Sequence, residues 1–412
     1  MPAERAEVVV VGRGPAGAAT AWWLARAGVD VLVLDRARFP RPKPCSEYMS
    51  PQASRLLEEM GVLAEVEGAG AAQLAGMTVR APSGTMIRGR FAGDHRWRGH
   101  RDRGLALQRT LLDPILLDAA RRAGARVVER THVRDLLFDR ARRASGVRVA
   151  NAGGETRDIG ARFVVGADGL RSVVARRLGL ARSARFPKRL ALVTHYDGVA
   201  GMGELGEMHV EGDGYLGLAG VGGERTNVAV VVPASRGAEL SAGTGAFLER
   251  WIAARPHLAP RFAGARRATP VQATGPFASR ARRPWAPGVA LVGDAADFFD
   301  PFTGEGIYAA LRGGELLAPY LLAALAERSP LGERTALEAY ARARRHEFGG
   351  KWMVERLIGT AVAFPALLER AASVLARDQS MADLLVGVTG DFVPPREVLR
   401  PSYLARLLLL PA

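Results

Sequence analysis

The sequence predicts an α/β fold (α+β overall) in which a Rossmann-like unit is combined with an antiparallel sheet and C-terminal helices. Three observations support this prediction. A strand–turn–helix–strand pattern opens the chain, short strands separated by glycines fill residues 190–232, and residues 337–410 are mostly helical in pattern. Continuous apolar strands are typical of buried parallel sheets, whereas short strands between turn residues are typical of antiparallel ones.

The first unit, residues 8–35, carries the glycine pattern G-x-G-x-x-G directly after an apolar, β-branched strand. Gly12 is expected to make the tight turn after the strand, and Gly14 to let the backbone approach a pyrophosphate. Gly17 is expected to let the following helix pack closely on the sheet. A helix of small residues follows, and its free N–H groups would face phosphates. The pattern therefore predicts a dinucleotide site.

The second strand of this unit ends in Asp35, 18 residues after Gly17. A carboxylate at that place can accept a hydrogen bond from a ribose hydroxyl. The alternative is a glycine-rich turn in an α/β protein that binds nothing. The two strands, the helix and the acid together favour dinucleotide binding.

Composition narrows the class of protein. With 412 residues, 48% of them hydrophobic, the chain can form two packed domains or one large soluble one. We expect no apolar run long enough to span a bilayer and no signal peptide in residues 1–6. The single cysteine excludes an internal disulfide and a cysteine metal cluster, so no metal site is expected, and it favours a cytoplasmic setting.

The net charge of +15 comes almost entirely from arginine, with lysine only at positions 43, 188 and 351. The arginines are spread along the chain as pairs, without the basic, aromatic-rich run that nucleic-acid binding needs. We therefore expect no nucleic-acid partner. A weak attraction to anionic membrane surfaces or acidic partners stays open.

The remaining pattern predicts helices over residues 52–61, 105–124 and 304–326, and a buried strand over 163–165. The helical C-terminal region is expected to break over residues 387–395. The resulting division has six segments: a dinucleotide-binding domain in three parts (1–80, 105–185 and 281–330), a substrate-domain segment (81–104), an antiparallel-sheet substrate domain (186–280) and a C-terminal helical region (331–412).

Three segments together resemble a known family. The first is the glycine pattern; the second is Gly166-Ala167-Asp168-Gly169; the third is Gly293-Asp294, continuing to Pro301 and Gly304-Glu305-Gly306-Ile307. In order and separation they are similar to motifs of the FAD-dependent oxidoreductases of the para-hydroxybenzoate hydroxylase fold. That superfamily includes group A flavin monooxygenases, geranylgeranyl reductases and flavin halogenases. The similarity spans about the first 325 residues.

The resemblance implies FAD as cofactor and assigns roles to particular residues. Asp294 would accept bonds from ribityl hydroxyls, and the helix start at Gly304 would face the flavin pyrimidine edge, where negative charge accumulates on reduction. Asp168 would support the FAD pocket, and Arg109 would contact phosphate or ribityl groups. The expected cofactor-binding residues are Gly12, Gly14, Pro15, Ala16, Gly17, Asp35, Arg36, Lys43, Cys45, Ser46, Arg109, Val133, Asp168, Gly293, Asp294, Pro301, Gly304, Gly306 and Ile307.

The loop Lys43-Pro44-Cys45-Ser46-Glu47-Tyr48 is similar to the K-x-C-G-E loop of geranylgeranyl reductases, which runs beside the isoalloxazine ring. The chain departs from that pattern at Ser46, where glycine is usual. A thiol at Cys45 could tune the flavin or donate a proton to a reduced alkene. Alternatively, Cys45 is a small buried hydrophobe.

The predicted antiparallel sheet favours a different substrate. Its segment 214–220, GYLGLAG, lacks the tryptophan and proline that geranylgeranyl reductases carry, and the W-x-W-x-I-P signature of halogenases is absent. Glycines there leave room for a flat aromatic or polycyclic substrate; a twisted sheet with close backbone contacts is the alternative. Tyr215 and His195 are candidate catalytic residues on this layer, although a structural role is more usual for histidine.

The sequence thus favours an NAD(P)H-dependent monooxygenase that hydroxylates or oxidises an aromatic or polyketide-like secondary metabolite. One alternative is an ene-reductase similar to geranylgeranyl reductases, acting on an isoprenoid or other hydrophobic alkene. Another is a flavin-binding protein without turnover. The expected partner is a small hydrophobic or aromatic substrate, and the oligomeric state is left open.

Overall fold

Helices and strands cover most of the chain in a computed structural model that describes residues 4–183, 188–277 and 279–409. The strands are β1 (Arg5–Val11), β2 (Val31–Leu34), β3 (Tyr48–Met49), β4 (Ala72–Leu74), β5 (Gly76–Arg80), β6 (Met86–Arg90), β7 (Gly104–Ala106), β8 (Arg126–Val128), β9 (His132–Phe138), β10 (Ala144–Ala150), β11 (Thr156–Gly166), β12 (Ala181–Ser183), β13 (Arg189–Asp197), β14 (Leu205–Glu211), β15 (Gly214–Gly220), β16 (Arg225–Pro233), β17 (Arg266–Arg267), β18 (Gln272–Thr274), β19 (Ser279–Ala281), β20 (Trp285–Ala286), β21 (Val289–Leu291) and β22 (Asp297–Phe298).

The α-helices are α1 (Pro15–Arg26), α2 (Ala53–Glu59), α3 (Leu63–Gly68), α4 (Arg109–Arg122), α5 (Val173–Arg177), α6 (Gly237–Ser241), α7 (Thr244–Ala253), α8 (Ala259–Phe262), α9 (Gly306–Ala326), α10 (Pro330–Ala363), α11 (Pro365–Leu375), α12 (Gln379–Thr389), α13 (Arg396–Leu399) and α14 (Pro401–Leu409). Short 3₁₀ helices lie at Ala234–Arg236, Gly293–Ala295 and Pro301–Thr303. The predicted fold class is confirmed: a Rossmann-type sheet, a second sheet and C-terminal helices are all present.

The first sheet is mainly parallel and has the strand order β20–β21–β11–β1–β2–β8, with β9 and β10 joined antiparallel beside β11. Its central strand β1 pairs with β11 and β2 along its two edges, and its side chains are buried on both faces, with Val8 and Val10 in one core cluster and Val9 and Val11 in another. Val11 lies opposite Gly166, and Gly166 lies opposite Leu291. Because parallel strands end at the same edge, the loops after β1, β11 and β21 are neighbours. Those loops carry the three motifs.

The second sheet has the order β17–β13–β16–β15–β14–β5–β6, with β18 beside β13. The strands β13 to β16 pair antiparallel, as the glycine-separated pattern predicts. One pair departs from that pattern, because β14 runs parallel to β5. The strand β5 begins at Gly76, so this sheet starts before residue 81, where the sequence analysis placed its first segment.

Three predicted helix boundaries differ in the structure. Residues 104–106 form β7, because a small sheet of β3, β7 and β4 includes them, and α4 begins only at Arg109. Gly304 has a left-handed φ of 72°, so α9 begins at Gly306. The C-terminal break starts only after Thr389, because Gly387 continues α12 and lets Val393 of the following segment pack against it: a Cβ there would lie 2.5 Å from Val393 Cγ2.

Among the residues that the structure describes, α9 is long and apolar enough to cross a membrane, and so are α10 and α11 taken together as a pair bent by 111°. The expectation that no apolar run reaches this length is therefore wrong. The helix α9 packs against α1 and α10, and its residues Leu311, Leu317 and Leu321 are fully buried in the largest core cluster. Packing in this core cluster accounts for the apolar character of α9.

Candidate active site

A cavity of about 730 Å³ lies where the two sheets, α9 and α10 meet. Gly14, Asp168 and Asp294 all line it, so the three motifs converge on one cavity. The predicted cofactor residues that line it are Gly12, Gly14, Pro15, Ala16, Asp35, Arg36, Lys43, Cys45, Ser46, Arg109, Val133, Asp168, Gly293, Asp294, Pro301, Gly304, Gly306 and Ile307. Gly17 lies behind this wall instead.

The glycines of the first motif differ in what surrounds them. Gly12 has a φ of 96°, and a Cβ there would lie 2.4 Å from the carbonyl oxygen of Ala167. A Cβ on Gly17 would lie 1.9 Å from the carbonyl oxygen of Gly12. Gly14 is different, because the nearest atom to its Cβ would be Arg109 Nη2 at 3.5 Å. Gly12 and Gly17 are therefore required by the fold, and Gly14 leaves open space on the cavity wall.

Asp35 ends β2 at the cavity and is held in place by the backbone. Its Oδ2 accepts a hydrogen bond from Arg13 N at 3.1 Å, and its Oδ1 accepts one from Ala37 N at 2.8 Å. The buried Arg13 guanidinium pairs with Glu129. The turn after β1 is therefore held by two carboxylates: Asp35 binds the Arg13 backbone, and Glu129 binds its side chain. A carboxylate oxygen can accept more than one hydrogen bond, which leaves Asp35 able to bind a ribose hydroxyl.

Asp168 lies in the loop after β11, and only one of its two carboxylate oxygens is hydrogen-bonded within the described residues. Its Oδ2 accepts a hydrogen bond from Val173 N at 2.6 Å, at the start of α5. Its Oδ1 is buried and has no hydrogen-bond partner among the residues that the structure describes. Burial raises the pKa of Asp168. A ligand hydroxyl would satisfy this buried atom.

Lys43 links the second and third motifs. Its Nζ lies 3.7 Å from Asp294 Oδ2, and a Cβ on Gly169 would lie 3.9 Å from the same nitrogen. Beyond Asp294, the left-handed Gly304 turns the chain into the 21-residue helix α9. The first N–H groups of a helix have no partner within it, and Gly306 and Ile307 line the cavity. This helix start can therefore face a group that carries negative charge.

Arg109 is buried and paired with Asp113 by two bonds, Nε to Oδ1 at 2.6 Å and Nη2 to Oδ2 at 2.9 Å. Burial alone would lower its pKa, but Asp113 raises the pKa of Arg109 overall. The guanidinium is thus a fixed cation on the cavity wall beside Gly14. Its predicted contact with a cofactor phosphate stays a prediction.

The cysteine loop, residues 43–48, is fastened to the second sheet. Asn227 on β16 donates from Nδ2 to the carbonyl oxygen of Cys45 at 2.9 Å and to Glu47 Oε2 at 3.0 Å. The other oxygen of Glu47 accepts a hydrogen bond from Arg109 N at 2.8 Å. Glu47 is 2% exposed and has a left-handed φ of 62°. The hydrogen bonds of Asn227 and Glu47 together hold Cys45 on the cavity wall.

His195 does not line the cavity, contrary to the expectation that it faces the substrate. Its Nε2 lies 2.7 Å from Glu47 Oε2, and its Nδ1 lies 3.1 Å from Thr269 Oγ1. Both ring nitrogens are therefore engaged behind the cysteine loop. His195 is placed to hold Glu47 and not to contact a substrate.

Tyr215 lines the cavity, but its hydroxyl is already hydrogen-bonded to Asp300. It donates to Asp300 Oδ1 at 2.7 Å, and Asp300 also pairs with the buried Arg189. Burial and the neighbouring Asp300 raise the pKa of Tyr215 well above its ordinary value. The structure therefore places Tyr215 as a neutral anchor of the second sheet.

One wall of the cavity comes from α10, which the sequence analysis assigned only to a C-terminal helical region. Its contributing residues lie on one helix face, at steps of three or four positions apart from the adjacent pair Lys351 and Trp352: Arg344, Phe348, Lys351, Trp352 and Glu355. The segment before α9 adds the aromatic residues Phe298, Phe299 and Phe302. The repeated spacing of aromatic and charged residues in α10 was the signal that could have identified this wall.

Comparison with known proteins agrees with this geometry. The chain is 32% identical to digeranylgeranylglycerophospholipid reductase 1 of Methanopyrus kandleri, over 78% of the chain and 81% of that protein. It is 28% identical to a menaquinone reductase of Mycobacterium tuberculosis, over 95% of the chain and 92% of that protein. A solved flavoprotein/dehydrogenase from Cytophaga hutchinsonii superposes with a TM-score of 0.83 at 21% identity, covering 99% and 97% of the two chains.

The fold, the cavity and these similarities define an FAD-dependent oxidoreductase with the para-hydroxybenzoate hydroxylase type of fold. More particularly, the chain belongs to the FAD binding domain family (FAD_binding_3), whose model matches residues 5–353. The residues present fit that cofactor. The bare wall at Gly14 can admit a pyrophosphate, and the unpartnered Asp168 Oδ1 can accept a hydrogen bond from a polyol hydroxyl.

Proposed function

We propose that this protein is a reductase that saturates a carbon–carbon double bond in an isoprenoid or similarly hydrophobic alkene. The observation that carries the proposal is the position of Cys45. It lines the cavity in a loop that is bonded to the second sheet through Asn227 and adjoins the start of α9. The similarity to proteins named as reductases of a digeranylgeranyl lipid and of menaquinone supports this reading.

The cavity has a polar half and an apolar half. FAD, when bound, supplies two-electron redox chemistry, and Gly14, Asp35, Asp168 and Asp294 are the residues that would hold it. The opposite wall is formed by apolar side chains of the second sheet and its neighbours: Met77, Ala191, Val193, Met208, Val231 and Phe277. Such a wall binds a hydrocarbon and keeps water from the reacting carbons.

Cys45 is the group of the loop that can hold a proton near an alkene. Its Sγ accepts a hydrogen bond from Glu47 N at 3.3 Å, which fixes the side chain. Saturation of a double bond requires a proton at one of the two carbons, and a positioned thiol can donate it. The alternative, a small buried hydrophobe, predicts that the thiol can be removed without consequence.

Hydroxylation of an aromatic or polyketide-like metabolite is the second candidate, and the sequence analysis favoured it. The supporting observation is a pair of glycines, Gly206 and Gly217, that line the cavity on β14 and β15. A Cβ on Gly217 would lie 3.1 Å from Met208 Sδ, so the missing side chain lets the flexible Met208 lie against the strand, and a flat ring would bind by displacing it. Both candidates use NAD(P)H as the proposed electron donor and a cytoplasmic setting.

The two candidates differ in what is added to the substrate. Purified holoprotein is incubated without oxygen with NADPH and geranylgeraniol, and the product is analysed by mass spectrometry. A gain of two hydrogen atoms supports the reductase. The alternative result is an aromatic substrate that gains an oxygen atom, and only when oxygen is admitted. That result supports hydroxylation and overturns the proposed alkene reduction.

Cys45→Ala tests the observation on which the proposal depends. We expect the variant to retain its flavin and to lose about a hundredfold or more in turnover, because a positioned proton donor is removed. Cys45→Ser is the matched control for side-chain volume and should keep part of the turnover. Near-normal turnover of the alanine variant would remove the thiol from the mechanism.

A further inference from the structure

Glu355 differs from every other carboxyl group in its part of the cavity. It lies on the face of α10 that lines the cavity, one turn after Trp352. Within the described parts of the chain, it makes no hydrogen bond and no ion pair. It also lies just beyond residue 353, where the match to the family model ends.

The surrounding acids are all paired with cations. Asp297 accepts a bond from Arg344 at 2.7 Å, Asp300 pairs with Arg189, and Lys351 lies 2.8 Å from Glu305 and contacts Asp391. Counting Glu355, five carboxyl groups share three cations. The fifth, Glu355, has no partner left among the described residues, and its half-buried side chain lines the cavity.

We infer that Glu355 is the hydrogen-bond donor by which this cavity recognises a neutral, hydrophobic substrate that carries a carbonyl or quinone oxygen. This inference adds a substrate class to the proposed function, and it rests on that proposal in one respect: the substrate must occupy this cavity. It adds an unpaired hydrogen-bonding group to a wall whose other polar side chains, Arg344 and Lys351, are already paired with carboxylates.

The chemistry of the cluster supports a donating carboxyl group. Burial, with the neighbouring carboxylate of Glu305, raises the pKa of Glu355 well above its ordinary value. Asp297 and Asp300, on the segment before α9, act in the same direction, and Lys351 on α10 opposes them. A protonated carboxyl group has an O–H to donate, whereas an ionised one can only accept.

The same cluster selects against charged ligands. A carboxylate or phosphate placed beside Glu355 would meet a cluster in which the carboxylates of Asp297, Asp300, Glu305 and Asp391 outnumber the three cations. A carbonyl oxygen accepts the proton without bringing a charge. Its hydrophobic remainder is suited to the aromatic side chains Phe299, Phe302 and Trp352, which line the same cavity. The substrate class is therefore a neutral carbonyl compound or quinone with a hydrophobic body.

The test measures binding to the oxidised holoprotein, without turnover. The probe is 2-methyl-1,4-naphthoquinone in equilibrium dialysis, and the matched control is 2-methylnaphthalene, which lacks the oxygens. We expect Glu355→Ala to weaken quinone binding about fivefold to tenfold and to leave the hydrocarbon unaffected. Glu355→Gln keeps an N–H donor and should bind the quinone within about threefold of the wild type.

Raising the pH should weaken quinone binding in the wild type as Glu355 ionises, and should not do so in Glu355→Gln. Infrared spectroscopy at neutral pH gives a readout that does not depend on any ligand: a protonated-carboxyl C=O band that disappears in Glu355→Gln. Absence of that band, or equal quinone affinity in the wild type and the alanine variant, would overturn the inference. Failure of alkene reduction with an intact quinone effect would instead count against the proposed function.

Discussion

Glu47 Oε2 lies 2.7 Å from His195 Nε2, and this contact joins the cysteine loop to β13 of the second sheet. The two residues are 148 positions apart in the chain. Because Glu47 also accepts bonds from Arg109 N and Asn227 Nδ2, one side chain ties three elements around the cavity. The carboxylate positions the loop that carries Cys45 and does not itself line the cavity.

Glu47 has two structural roles: its carboxylate accepts hydrogen bonds, and its backbone adopts a left-handed φ. Substitution by alanine and by glycine separates these two roles. Glu47→Ala and Glu47→Gly both remove the carboxylate, and each should lower the free energy of unfolding by about 3 kcal/mol because three buried groups lose their partner. At a φ of 62°, glycine is unstrained, so the glycine variant should be about 1 kcal/mol more stable than the alanine variant. Urea denaturation measures the difference. An alanine variant that is equal or more stable contradicts the assigned backbone geometry.

Gly12 and Gly14 should respond differently to alanine. Gly12→Ala forces a Cβ against Ala167 at a positive φ and should destabilise the fold by about 2 kcal/mol or more. Gly14→Ala meets no such obstacle and should stay within about 1 kcal/mol of the wild type while losing bound FAD, because the new methyl group occupies the open wall. Denaturation of the flavin-free protein and the flavin-to-protein ratio check the two effects. Full flavin content in Gly14→Ala would exclude that wall as the pyrophosphate site.

Tyr215→Phe tests whether the hydroxyl is structural. Its removal leaves Asp300 one hydrogen bond short, so we expect a loss of about 2 kcal/mol in unfolding free energy. Turnover should stay within about threefold, because the hydroxyl is already committed to Asp300. A loss of about a hundredfold in turnover with unchanged stability would instead show that Tyr215 is catalytic.

Glu207 gives a pH-dependent prediction. Burial opposes its ionisation, but hydrogen bonds from Arg261 and His209 lower the pKa of Glu207 to about 2. Its folded pKa is therefore below the unfolded value of 4.5, so its stabilisation is present above that value and is lost as the pH falls toward 2. The difference in unfolding free energy between the wild type and Glu207→Gln should be at most about 3 kcal/mol at neutral pH and shrink across that acidic range. A difference that is constant with pH would contradict the assigned ion pair.

The convergence of the three motifs could be predicted from the sequence because it follows from local rules. Each motif directly follows a buried parallel strand, and such strands end at one edge of the sheet. That Gly12, Asp168 and Asp294 line one cavity could therefore be predicted without knowledge of the strand order. The role of Gly17 followed in the same way from close helix–sheet packing.

The remaining parts of the site depend on long-range packing. His195 and Glu47 meet only because the second sheet packs against the cysteine loop, and no spacing in the sequence encodes that contact. The wall formed by α10 comes from a region beyond the recognised motifs. Leu105 was expected in a helix because its apolar neighbours have helical spacing, but pairing with β3 and β4 decided its conformation.

Hydrogen–deuterium exchange of the flavin-free protein, with and without added FAD, tests most directly whether three distant segments bind one cofactor. We expect FAD to slow exchange together at residues 12–18, 168–175 and 293–309. Protection confined to the first of these segments, with the other two unchanged at saturating FAD, would contradict it.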